Sequence, residues 1–95
     1  MSSVRQEIEK TIGTRTMLKV FGAIARDPGE WQTVYSVSKR TGINNSGVRD
    51  NLEELVRLGW AEKYGGGIIR KYRLNSDNRR AKLFQEYLSE IEYFS

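Results

Sequence analysis

The sequence predicts a mainly α-helical domain with one small β-hairpin. This is an α+β chain in the order helix, helix, helix, hairpin, helix, preceded by an extra N-terminal helix. Three observations predict it. Residues 35–60 hold two apolar-spaced segments separated by Thr41-Gly42-Ile43 and the polar run Asn44, Asn45, Ser46. Val48, Leu52, Leu55 and Val56 then recur at helical spacing. After Gly59 the period changes, and two loosely alternating runs flank Gly65, Gly66 and Gly67, a hairpin signal because glycine supplies the positive φ of a tight turn. Finally, Leu83, Phe84, Tyr87, Leu88, Ile91 and Phe94 return at spacings of one, three and four, the stripe of an amphipathic helix.

Residues 1–13 carry Val4, Ile8 and Ile12 four apart, with Ser3 as N-cap and Gln6 in the capping-box position. They read equally as a frayed leader or as an arm that packs on a partner chain. The next helix is expected over 14–27, capped by Thr14 or Thr16, with Met17, Leu18, Phe21, Ile24 and Ala25 facing inward. It must stop before Pro28, which disfavours helical backbone in the residue ahead of it. Trp31 is expected as a lid on the core. Thr33 suits the N-cap of a helix over 33–41, and Gly42 its left-handed terminator, with Ile43 plugging the turn. Asn44 or Asn45 caps a helix over 44–58, which Gly59 ends by the same device. The hairpin covers 60–74, with Tyr72 and Leu74 on one face and Lys71 and Arg73 on the other. Its glycines lack the spacing of a phosphate-cradling loop and precede no helix. Asn75, Ser76 or Asp77 starts a last helix over 76–95. That helix carries much apolar surface for so small a chain, so a dimer seam is expected there, formed by Leu83, Phe84, Tyr87, Leu88, Ile91 and Phe94 together with Ile8 and Ile12.

Bulk composition narrows the function. The 95 residues suit one domain, and a hydrophobic fraction of 38% supplies one core and little more. The chain has neither Cys nor His, which removes thiolate and imidazole metal sites and the usual general base. No cofactor and no metal are expected. The carboxylate pairs Glu53/Glu54 and Glu86/Glu90 lie on strongly periodic helices and read as solvated faces, so an enzyme is not expected. No run is long enough to span a membrane and no signal-peptide core is evident, so a cytoplasmic chain is the expectation. The net charge of +4 favours acidic partners, and residues 60–74 hold Lys63, Arg70, Lys71 and Arg73 against Glu62 alone.

The run TGINNSGVRDNLEELVRLGWAEKYGGGIIRKYRLN, residues 41–75, resembles the core of a winged helix-turn-helix DNA-binding domain. It is similar to the small ArsR/MarR-like transcriptional regulators, archaeal ones in particular. The resemblance rests on the Thr-Gly-Ile turn, on Val48, Leu52 and Leu55, on the Leu58-Gly59-Trp60 exit, and on the hairpin closing at Tyr72 to Asn75. It implies double-stranded DNA as partner, with the third helix in the major groove and the hairpin, or wing, on the minor groove or backbone; with the apolar seam above, a homodimer is expected. A helix-turn-helix offers the N-terminal part of its second helix to base edges. Here that part presents Asn45, Ser46, Arg49 and Asp50, of which Asn and Arg can bond adenine and guanine in bidentate fashion. Lys39, Arg40, Lys63, Arg70, Lys71 and Arg73 are the expected phosphate contacts. The alternative is a winged-helix module that binds protein and not DNA. Neither operator nor small-molecule effector can be read from the sequence.

Overall fold

The computed structural model describes residues 15–66 and 70–94. Expectations about the arm, Ile8 and Ile12 included, and about Thr14 and residues 67–69 lie outside them. Four helices, α1 (Arg15–Ala25), α2 (Val34–Thr41), α3 (Asn45–Arg57) and α4 (Arg79–Glu90), enclose a two-stranded antiparallel hairpin, β1 (Ala61–Tyr64) and β2 (Lys71–Leu74). Leu18, Phe21 and Ile24 of α1, Val37 of α2 and Val48, Leu52 and Leu55 of α3 are fully buried in one core with Tyr72 and Leu74 of β2. Each such side chain stabilises the fold by about 1.5–3 kcal/mol relative to leaving it in water. Phe21, Trp60 and Phe84 add an aromatic cluster, every pair of ring centroids lying 5.5–5.8 Å apart.

Local chemistry sets most element ends. Thr33 Oγ1 accepts from Ser36 N at 3.1 Å, and Gly42 closes α2 at φ 76° with its N–H on the Ser38 carbonyl. Asn44, not Asn45, caps α3: its Oδ1 accepts from Gly47 N at 2.7 Å. α3 ends in a Schellman arrangement, with Trp60 N donating to Leu55 O and Gly59 N to Val56 O around Gly59 at φ 81°. α1 is shorter than expected. It stops at Ala25, and Asp27 instead accepts from Glu30 N in a turn built around Pro28. Thr16 lies inside α1 and is not its cap.

α4 departs most from expectation. Its N-cap is Asn78, whose Oδ1 accepts from Ala81 N at 3.0 Å, not Asn75, Ser76 or Asp77. Asn75 is spent on the root of the hairpin: its N–H donates to Trp60 O, and its Nδ2 to Gly59 O at 2.9 Å. The helix does not reach residue 95. Tyr93 N donates to Leu88 O and Glu92 N to Ser89 O, with Glu92 at φ 60°, so residues 91–94 form a terminating turn.

The hairpin register pairs Ala61 with Leu74, Glu62 with Arg73, Lys63 with Tyr72 and Tyr64 with Lys71. Strand parity puts Ala61, Lys63, Tyr72 and Leu74 on the face turned to the helices, and Glu62, Tyr64, Lys71 and Arg73 on the other. Gln32, just before α2, pairs with Tyr72 through both backbone bonds, at 2.8 and 2.7 Å, and its Nε2 donates to Ala23 O at 2.9 Å. The segment between α1 and α2 thus runs along the outer side of β2. This explains why Trp31 is no lid on the core. It lies on the outer hairpin face, with the Arg73 guanidinium 4.3 Å from its ring centroid and Tyr64 at 5.8 Å.

Candidate nucleic-acid interface

The first turns of α3 form one half of the site. Val48, Leu52 and Leu55 hold the helix to the core, which fixes the opposite face outward. Ser46, Arg49 and Asp50 point away from the core and Asn45 is the first residue of the helix; all four are exposed. Among the described residues none of the four is engaged in a side-chain hydrogen bond or ion pair. Asn44 is committed to its cap, and Asn51 Nδ2 donates to Gly47 O at 2.8 Å, so neither amide is free to read. Gly47 sits half-buried in this turn. A Cβ there would come within 3.0 Å of Ile43 Cγ2 and 3.3 Å of Asn44 Oδ1, so its bareness serves the cap and the turn plug. No acidic residue occupies the first turn, which leaves the positive end of the helix dipole uncompensated.

The hairpin forms the other half, and its cations are not equivalent. Lys71 is exposed and has no ion-pair partner among the described residues. Arg73 is held on two sides, by the Trp31 ring and by Glu62 Oε1 at 3.1 Å. Lys63 Nζ lies 3.1 and 3.3 Å from the two carboxylate oxygens of Glu53 on α3, and Arg70 Nη1 lies 3.9 Å from Oε2. The Tyr72 hydroxyl donates to the same Oε2. The Tyr72 hydrogen bond, then Lys63 and Arg70, hold the Glu53 carboxyl below the usual glutamate range. Burial, with the Glu53 carboxylate beside it, pushes the Tyr72 phenol up to about 12. Glu53 is therefore no solvated-face residue, as its helical periodicity suggested. It is the carboxylate that ties α3 to both strands. Its partners Lys63, Arg70 and Tyr72 lie 10, 17 and 19 residues away, and strand parity was the one available signal, since it sends Lys63 and Tyr72 to the same side.

The α2 cations also differ. Arg40 bridges Asp27 at 3.3 Å and Glu30 at 3.9 Å, whereas exposed Lys39 rests over the Tyr35 ring at 5.2 Å. An open cleft of about 690 Å³ lies between α1, the end of α2 and the C-terminal turn, bordered by Lys19, Arg26, Arg40 and Tyr93; no α3 or hairpin residue lines it. The expected seam on α4 is divided. Leu88 is fully buried in the chain's own core, and Phe84 and Phe94 pack against that core. Leu83, Tyr87 and Ile91, four apart, remain exposed at 53%, 43% and 38%. Among the described residues no helix is long and apolar enough to cross a membrane.

No protein-family model and no curated protein matches the chain. Among solved structures it is similar to a protein from Methanosarcina mazei Go1 described as a possible transcriptional regulator. The TM-score is 0.71 at 17% identity, over 94% of this chain and 79% of that one. A likeness at that identity speaks for the fold. Among the described residues, four helices around an antiparallel hairpin, with α2 and α3 joined by a tight turn and the hairpin directly after α3, make a winged helix.

Proposed function

We propose that this chain is a sequence-specific, homodimeric regulator of transcription that binds double-stranded DNA. α3 enters the major groove and the hairpin acts as a wing on the backbone or minor groove. The observation that carries the reading is the exposed start of α3: Asn45, Ser46, Arg49 and Asp50 are exposed and unengaged at the end of the helix a helix-turn-helix offers to bases. Asn44 and Asn51 are spent on hydrogen bonds to the backbone of α3, and these four are not. Arg49 is the principal base reader, with guanine as its natural partner. Lys39 and Lys71, both exposed, supply phosphate contacts. Arg40, Lys63 and Arg73 chiefly brace the protein. The description of the Methanosarcina mazei protein as a possible transcriptional regulator supports the same reading.

The exposed stripe Leu83, Tyr87, Ile91 pairs two protomers, which implies a roughly palindromic site with half-sites about one helical turn apart. A cytoplasmic location accompanies this role. The test is selection of bound duplexes from a random pool at two salt concentrations, on wild type and Arg49→Ala. The expected result is an enriched palindrome for wild type, and for the variant a loss of about 1–3 kcal/mol of discrimination at one base position per half-site. A pool that stays random, with no salt dependence, sinks the reading and favours a protein-binding winged helix.

A further inference from the structure

We propose that Glu53 is a positioning residue that withholds Lys63 and Arg70 from DNA phosphate, so that the wing grips with fewer charges than it carries. The inference rests on the DNA-binding reading above. Its ground is geometric. One carboxylate on α3 faces two wing cations: Lys63 Nζ at 3.1 and 3.3 Å and Arg70 Nη1 at 3.9 Å. The Tyr72 hydroxyl holds Oε2 in place from a fully buried ring, so the carboxylate cannot simply swing into water. Glu53 and Lys63 side chains are each only about one-third exposed, at 34%.

The other ion pairs do not share this arrangement. Arg57 pairs with Glu54 within α3, and Arg73 with Glu62 within the hairpin. Arg40 meets Asp27 and Glu30 near the α1–α2 turn. Among the described residues Glu53 alone places a negative charge from α3 against cations of the wing. The register explains why Lys63 cannot avoid it. Lys63 stands opposite Tyr72 on the helix-facing side, while Lys71, one residue away on β2, points to the other face. A wing with every cation turned outward would hold any duplex tightly. Sequestering two of them lowers the affinity common to all sequences and leaves a larger share of the binding to α3. The carboxylate thus favours specificity by suppressing the non-specific state.

The salt dependence of binding to a random duplex reads this directly, because each phosphate contact contributes about 0.9 to the slope of log K against log salt. Full-length wild type, Glu53→Gln, Lys63→Gln and Lys71→Gln would be titrated by fluorescence anisotropy against one labelled duplex of random sequence, with folding checked by circular dichroism. Glu53→Gln is expected to steepen the slope by up to about 2 units, so that the affinity ratio between 50 and 200 mM salt grows about tenfold. Lys63→Gln should change the slope by less than about half a unit, because that lysine is already withheld, whereas Lys71→Gln should flatten it by about 0.9. A structural role alone would move stability and leave the slope in place.

Wild-type binding with an unchanged slope in Glu53→Gln overturns the inference, as does equal flattening by Lys63→Gln and Lys71→Gln. If Glu53→Gln fails to fold, that comparison of the two lysines decides alone. Absence of any salt-sensitive affinity in wild type overturns the DNA-binding reading itself and this inference with it, an outcome distinct from the others.

Discussion

Asn44 offers a clean separation between building the turn and reading DNA. Its Oδ1 accepts from Gly47 N at 2.7 Å, with the backbone at φ −65°, ψ 159°, the geometry of an N-cap. Replacing it with alanine leaves the Gly47 N–H without its partner. Asn44 is exposed and Gly47 half-buried, so water recovers part of the loss. The cost should therefore be about 1 kcal/mol and not the 2 kcal/mol at the top of the range for lost caps. In a domain of this size 1 kcal/mol lowers Tm by about 4–8 °C. Asn44→Ser keeps an acceptor and should stay within about 0.5 kcal/mol of wild type. Asn44→Asp also keeps the acceptor and sets a negative charge against the helix dipole, a gain of about 0.3–1 kcal/mol. On the proposed DNA-binding reading the same charge would face phosphate, so duplex affinity should fall while Tm rises. Scanning calorimetry and anisotropy on these variants provide both readouts. If Asn44→Ser costs as much as Asn44→Ala, the side chain is not acting as a cap and the turn has been misread.

Other expectations follow from the same geometry. Tyr72 should contribute stability that is fully present below pH 10 and lost as pH rises through about 12, since its phenol is raised; Tyr72→Phe should remove that alkaline dependence in urea titrations followed against pH. Glu53 should act in the opposite sense, contributing stability above the ordinary glutamate range and losing it on acidification, a loss that Glu53→Gln abolishes. Tyr87→Glu should halve the sedimenting mass without unfolding the chain, as its side chain is 43% exposed and outside the core; an unchanged mass argues against pairing through α4.

The helix ends at Thr33, Gly42 and Gly59 were legible, and the start of α3 was narrowed to Asn44 or Asn45, because capping is local chemistry: a short polar side chain or a left-handed backbone acts within four residues. The start of α4 was not. Asn75, Ser76, Asp77 and Asn78 are all capable caps in a row. The choice among them is made by Asn75 reaching back 16 residues to the Gly59 carbonyl, which leaves the cap to Asn78. The exposed side of α3 could be seen from periodicity, since it lies away from Val48, Leu52 and Leu55. Which wing cations stand free could not. Lys63, Arg70, Lys71 and Arg73 look alike in the sequence, and only the strand register and the position of α3 divide them into paired and unpaired. Trp31 was misplaced for the same reason: nothing local reveals that Gln32 pairs with Tyr72 and carries its neighbour onto the hairpin.

That placement gives the chain two intrinsic optical probes with different jobs. Trp60 packs edge-on against Phe21 and Phe84 and will change its emission when the core opens. Trp31 is half-buried under the Arg73 guanidinium and beside Tyr64, so its quantum yield follows the wing while the core stays closed. With the other indole replaced by phenylalanine, each can be watched alone. Denaturation and wing engagement would then appear as separate signals from one unlabelled protein.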